Sequence, residues 1–452
     1  MGGAFDFVVV FLAAALDFDL KLLQRRLSSS LSLNIEAFST PPCYHTHIVS
    51  SNPLLSRSPN ERFYHPELDV LRFFAFFLIF LHHSMPHDPA FYTKLGSGLT
   101  LASILAGLAS TGAMGVQLFF LLSSYLVTEL LIRERASRGQ IDIKAFFIRR
   151  ILRIWPLYFG FLAFAWALQW WIPGQHIGWR AGMAFALFVG NWWVVFVGFP
   201  SSIIFHLWFI SLQEQFYLFW PGIMRKLSQR GLLIAAAAML AVANLARWYL
   251  AANHTWESRM WANTFVQLDA IALGVMLAVL LAGRPPRLTP LLRAALFIGG
   301  FTCLALAADY FRIKFDPLTM SRVLLGYPVA ALGALVLLLA TLREESGRPT
   351  SSSAADRGGP FKPSFGLSGA LWRPLIYLGR ISYGLYVFHI LGLMISDYTV
   401  QHQDSSLGRY FFRNAVAFAI TVVLAAISYR WLETPFLTLK RRFSRVASRP
   451  GS

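Results

Sequence analysis

Within Leu68–Pro86, LDVLRFFAFFLIFLHHSMP, an apolar run of membrane-spanning character holds Arg72 near its start and His83 near its end. The two are eleven residues apart. That is three helical turns plus about 20°, so a helix puts both on one face, separated along its axis by about 16 Å. An ionisable side chain inside a membrane helix costs free energy, and this marks the pair as functional candidates facing a bundle interior. Histidine titrates near neutrality and serves as general base or nucleophile. Arg72 on the same face suits an anionic or carbonyl group. The competing reading is that Arg72 snorkels to one interface and His83 to the other. The neighbouring His82 points about 100° away from the Arg72 face.

A second group lies in FFIRRILRIWPLYF (146–159), where Arg150 and Arg153 share a helix face at i,i+3 and Arg149 is adjacent. Three guanidiniums there suit a polyphosphate such as the nucleotide end of coenzyme A. The competing reading is ordinary flanking charge at a cytoplasmic helix end. A third group crowds one apolar span, FHLWFISLQEQFYLFWP (205–221): His206, Trp208, Gln213, Glu214, Gln215 and Tyr217. Glu214 is an intramembrane carboxylate, a catalytic candidate unless it only sets helix packing. Asp269, in FVQLDAIALG, is placed near the outer end of its span. His389, mid-span, and Glu433, at a helix end, read like Asp269 as structural before catalytic. His206, Trp208, Tyr217, Asp269 and Asn191 are nonetheless the candidates for contacting a substrate.

These residues need helices in a membrane to position them. The chain has 452 residues, 56% hydrophobic and 15% aromatic, with 14% charged, where a soluble domain carries about a quarter charged residues. Several runs approach the roughly 20 residues that span a bilayer. No alternating ten-residue pattern supports a β-barrel. The formal charge of +18 falls mostly in short loops between apolar runs. That is the positive-inside signal, and it argues against nucleic acid as a partner. The two cysteines, Cys43 and Cys303, exclude a disulfide framework or a zinc site built on cysteine spacing. No His/Asp/Glu cluster at helical spacing suggests a metal.

Eleven apolar segments run from 69–86 to 410–432. Three of them, 154–172, 181–198 and 205–224, lie between two basic loops that should both be cytoplasmic. Three crossings would put those loops on opposite sides, so one segment does not cross. The sequence expectation is 181–198, re-entrant or interfacial, because Gly190, Asn191, Trp192 and Trp193 form a polar, interface-seeking cluster. The expected fold is therefore all-α: a polytopic helical bundle of about ten transmembrane helices plus one re-entrant segment, both termini cytoplasmic. Residues 1–60 read as a poorly ordered extension, 61–437 as the transmembrane domain, 438–452 as a basic tail. Residues 343–370 read as a Ser/Gly/Pro linker.

Six blocks together resemble the bacterial membrane-bound acyltransferase family 3. ELDVLRFFAFFLIFLHH (67–83) matches its R-x(10)-H opening through Arg72 and His83. GVQLFFLLSSYLVT (115–128), FFIRRILRIWPLY (146–158) and HLWFISLQEQFYLFWP (206–221) match three further blocks. YGLYVFH (383–389) and YRWLETPF (429–436) complete the order. Gln117, Ser124 and Gln213 stand where the family usually has Asp, Gly and Glu, which leaves Glu214 alone of a usual acidic pair. The chain ends soon after the last span, like the stand-alone form without a hydrolase-like domain.

The resemblance implies transfer of an acyl group, usually acetyl, from acyl-CoA to a hydroxyl of a sugar or glycosylated product, in the bacterial cytoplasmic membrane. Arg149, Arg150 and Arg153 would handle CoA, His83 would act as base or transient acyl carrier, and Arg72 would position the acyl arm or the carbonyl. A multi-span transporter or lipid flippase shares the helix count and the buried Arg/His pair. The absence of an evident internal repeat weighs against that class.

Overall fold

The computed structural model describes residues 65–172, 174–255, 257–314, 319–343, 369–400 and 406–443. The expectations for 1–60, for most of the 343–370 linker and for the tail beyond 443 lie outside them. Every element among the described residues is helical. In chain order the helices used below are α1 (Pro66–Ser84), α2 (Leu99–Gly112), α3 (Gly115–Arg138), α4 (Ile143–Leu168), α5 (Trp179–Ala186) and α6 (Gly190–Phe196). They continue with α7 (Trp208–Lys226), α8 (Gln229–Ala252), α9 (Leu268–Leu281), α10 (Pro290–Ala305) and α11 (Met320–Thr341). The last are α12 (Gly369–Arg380), α13 (Ser382–Val400), α14 (Leu407–Ser428) and α15 (Thr434–Arg441).

Among the described residues, six helices are long and apolar enough to cross a bilayer, or seven if the α12–α13 pair, bent by 80°, counts as one span. This is fewer than the ten expected, for local reasons. α1 and α7 are 19 residues long but carry the charged and amide side chains that make them interesting. α9 has only 14 residues, about 21 Å of helix against a hydrocarbon core of about 30 Å. The class of all-α polytopic membrane protein holds.

Segment 181–198 forms two short helices rather than a span. α5 has 8 residues and α6 has 7, each about a third of a bilayer core in length. Between them Phe188 takes φ 55°, and a Cβ at Gly190 would run into the Phe185 ring, so the chain reverses tightly. The two flanks then meet: the His176 N–H donates to the Ser201 carbonyl at 3.0 Å, and Gln175 Oε1 accepts from the Ile203 N–H at 2.8 Å. Both ends of the segment therefore emerge side by side, as the charge argument requires.

α1 packs against α2, α3, α11, α12 and α13. Pro66 starts it, Glu67 and Asp69 occupy its first turn, and His82 and His83 its last, the polarity that a helix dipole favours. Its middle residues Phe76, Ile79 and Phe80 are buried. Gly112 and Gly115 let α2 and α3 touch its backbone: a Cβ at either would collide with the carbonyl of Leu78 or Ala75. Gly379 does the same for α12 against Asp69. These close approaches set the backbones of α2, α3 and α12 directly against α1.

Candidate active site

Four guanidiniums from two helices meet in one cavity. Arg72 of α1 and Arg149, Arg150 and Arg153 of α4 line a space of about 220 Å³, together with Lys440 of α15, Gln213 and Tyr217 of α7, and Tyr383 and Tyr386 of α13. The turn before α4 sets this up. Gly139 closes α3 in the left-handed region at φ 74°, Asp142 caps α4 by accepting from the Ala145 N–H at 2.9 Å, and Glu134 accepts from the Asp142 N–H at 2.9 Å. Arg149 then donates to Glu134 and to the Phe443 carbonyl, both at 2.9 Å. Arg72 pairs with Asp69 at 2.9 Å. Arg150 instead lies over the Tyr217 ring at 4.5 Å and the Phe146 ring at 5.4 Å, which fixes its plane through its π face. Five cations against the carboxylates of Asp69 and Glu134 leave a formal excess of three positive charges on the lining. Such a lining fits phosphate oxygens.

His83 faces a different space. It lines an open recess with Phe205, Ile390, Leu393, Met394, Asp397 and Tyr398. Behind it stand two more imidazoles. His389 Nε2 lies 3.0 Å from His83 Nδ1, and the His206 and His389 ring centroids are 4.9 Å apart. His389 Nδ1 donates to the Tyr386 carbonyl at 2.6 Å. His206 Nε2 donates to the Val387 carbonyl at 3.2 Å, and the Tyr386 hydroxyl donates to the His206 carbonyl at 2.5 Å. Tyr386 packs at 5.2 Å on Phe209 and at 6.3 Å on Phe119, and all three line the arginine cavity. This aromatic layer is the wall between the guanidiniums and the imidazoles.

The comparisons with known proteins fall on this same stretch. The family described as Acyltransferase domain matches residues 65–430. The chain belongs to this acyltransferase family. Among its curated relatives, the peptidoglycan O-acetyltransferase OatA of Listeria monocytogenes is 26% identical over 351 residues, 72% of this chain and 51% of the relative. "Putative peptidoglycan O-acetyltransferase YrhL" of Bacillus subtilis is 26% identical over 361 residues, 75% of this chain and 52% of the relative. A "Putative O-acetyltransferase" of Staphylococcus aureus (strain COL) is 25% identical over 346 residues, 72% and 52% of the two chains. The chain spans about half the length of these relatives. No solved structure matches it.

Most of the other sequence candidates, Tyr217 apart, lie away from both spaces. Asp269, expected at a substrate, forms a buried ion pair with Arg247 at 2.7 Å. Asn191, expected to roof the acceptor, is buried and held by Thr264 at 2.9 Å and Gln215 at 2.7 Å. Trp208 is buried against Phe209 and Trp261. His206 is buried behind His389 rather than open to a ligand. Tyr217 does line a space, but that of the arginines. On α7 it is Gln213 that faces the cavity, donating to Ser123 Oγ at 2.8 Å. Glu214, the next residue, turns about 100° away and accepts from Trp155 Nε1 at 3.4 Å.

His389 is the residue that sequence reasoning undervalued. Its one signal was an ionisable side chain in the middle of an apolar run. Its partner stands 306 positions earlier. Among the described residues no cluster of three or more His, Cys, Asp or Glu is arranged to hold a metal.

Proposed function

We propose that this chain transfers an acyl group, acetyl in the simplest case, from acyl-CoA to a hydroxyl group of a glycan or glycosylated small molecule. The observation that carries this reading is the convergence of Arg72, Arg149, Arg150 and Arg153 on one cavity whose wall residue Tyr386 also touches the His83–His389 pair. The arginine cavity, about 220 Å³, is smaller than the roughly 300–1,000 Å³ of a pocket that engulfs a drug-sized ligand. The nucleotide of CoA therefore stays at its mouth, its phosphates on Arg150, Arg153 and Lys440, while the narrow pantetheine arm enters.

The loops rich in Lys and Arg make the arginine side cytoplasmic. The His83 recess then opens toward the other face of the bacterial cytoplasmic membrane, where a surface glycan is met. Arg72 stands about 16 Å along α1 from His83. It therefore positions the donor arm and does not reach the carbonyl that reacts at His83. The thioester end passes the layer of Phe119, Phe209 and Tyr386. His83 takes the acceptor's hydroxyl proton while its oxygen attacks the thioester carbon, or carries the acyl group on an imidazole nitrogen first. In both routes the carbon–sulfur bond breaks and CoA leaves as the thiol, its sulfur taking the proton. The name of OatA points to peptidoglycan as one acceptor to try.

The test is purified protein in detergent or nanodiscs with acetyl-CoA labelled in the acetyl group. Label appearing on an offered glycan hydroxyl, with release of one free thiol per turnover, supports the reading. Movement of a glycan or lipid across a vesicle membrane without thiol release would assign the chain to transport instead.

A further inference from the structure

We infer that His389 is a positioning residue that sets the tautomer of His83 and makes Nε2 of His83 its reacting nitrogen. The inference deepens the acyl-transfer reading above and rests on it for its chemical meaning. The geometry is a chain of three groups. A backbone carbonyl only accepts hydrogen bonds. His389 Nδ1, 2.6 Å from the Tyr386 carbonyl, must therefore carry a proton.

His389 is also fully buried. Among the described residues its ring neighbours are Phe76, His83, His206 and Tyr386, with no carboxylate among them. A second proton would put an unpaired charge in that apolar setting, which is costly. With one proton, on Nδ1, the ring presents Nε2 as a bare acceptor. His83 Nδ1, 3.0 Å from it, must then donate. In the neutral His83 ring that leaves Nε2 without a proton, its lone pair available on the side away from His389.

The consequence for either route is the same nitrogen. As a base, Nε2 receives the hydroxyl proton; as a nucleophile, it bonds to the acyl carbon as the thioester breaks. In both cases the cation that forms on His83 stays hydrogen-bonded through Nδ1–H to the neutral His389. His389 thus selects which imidazole nitrogen of His83 reacts, as hydrogen-bond partners do for metal-bound and triad histidines. His82, the neighbouring imidazole, is held by other groups and not by His389. Its Nδ1 lies 2.8 Å from His87 Nε2 and 3.2 Å from the Ala109 carbonyl.

The test reads the tautomer directly. Full-length protein labelled with ¹⁵N-histidine is measured by NMR, and the His83 signals are assigned by their loss in His83→Ala. The expected result is a neutral ring with the proton on Nδ1. A ring protonated on Nε2, or a cationic His83 at neutral pH, overturns the inference whether or not the protein transfers acyl groups. Conversely, an Nδ1–H ring in a protein that proves inactive with acyl-CoA leaves the tautomer assignment intact and removes only the acyl-transfer reading. In kinetics, His389→Leu removes the acceptor and should lower kcat about a hundredfold with the KM for acyl-CoA unchanged. His389→Gln, whose amide oxygen can accept from His83 Nδ1, should recover most of that loss. Equal loss in both variants, with both folded, means that the ring itself and not its acceptor is needed, and sinks the inference.

Discussion

Arg72 and His83 stand on one helix, yet they line different spaces. Arg72 borders the cavity shared with Arg149, Arg150 and Arg153, and His83 borders the recess formed with Phe205 and the second half of α13. Their common face on α1 therefore acts as a rail between two compartments rather than as one side of a single pocket. The proposed roles divide accordingly, with the donor's arm at Arg72 and the chemistry at His83.

Replacing His83 by Ala should lower acyl transfer by about 10²–10⁴-fold, the usual contribution of a positioned acid–base group, with membrane expression retained. His82→Ala should keep substantial activity, because His82 contacts Ala109 and His87 rather than His389. Labelled-acetyl transfer by the two variants checks this. Comparable loss in both would show that the histidines act together.

Arg150→Ala and Arg153→Ala should each raise the KM for acyl-CoA about tenfold to a hundredfold, since a hydrogen bond to a charged group contributes about 1.5–3 kcal/mol. Acceptor KM should change little. Isothermal titration with a non-hydrolysable acyl-CoA measures the binding directly. Unchanged affinity in the double variant would leave these arginines with a topological role alone.

Glu214→Gln should reduce activity less than about threefold, because the amide oxygen still accepts from Trp155 and Glu214 lines neither the cavity nor the recess. A loss of the size seen for a positioned acid or base, about a hundredfold or more, would return Glu214 to the catalytic set.

The Arg247–Asp269 pair is wholly buried, at 0% and 2% exposure. Arg247→Met or Asp269→Asn alone should destabilise the protein by about 3–5 kcal/mol, the cost of leaving one buried charge without its partner. The double variant Arg247→Met with Asp269→Leu should recover a large part. Thermal unfolding in detergent reads both effects. An unaltered melting temperature with a raised acceptor KM would instead make Asp269 a substrate ligand.

Single cysteines at Gln175 and Ser201, in a background lacking Cys43 and Cys303, should both react with an impermeant thiol reagent on intact cells. The two loops are hydrogen-bonded to each other, so they share one side. Labelling at only one position would refute the non-crossing α5–α6 hairpin.

The sequence alone determined what helical periodicity and charge placement determine. Arg72 and His83 fall on one face because 3.6 residues per turn fixes every i,i+11 relation within a helix. Arg150 and Arg153 share a face for the same reason. The parity of basic loops required one of three segments not to cross, and the polar, interface-seeking cluster Gly190-Asn191-Trp192-Trp193 pointed to 181–198, because both signals act locally and need no tertiary contact. The order of the blocks already resembled the acyltransferase family that matches residues 65–430.

Only the tertiary structure decided which of these local features meet. Arg72 joins the α4 arginines because glycines at 112, 115 and 379 let neighbouring backbones close onto α1. Tyr217 went to the arginine side, and Asp269 and Asn191 into buried networks, because a buried polar group takes whichever partner the packing supplies. His389 reached His83 across 306 positions. Nothing within a few residues of either histidine encodes that distance, since it depends on how α13 leaves its 80° bend against α12 and packs beside α1.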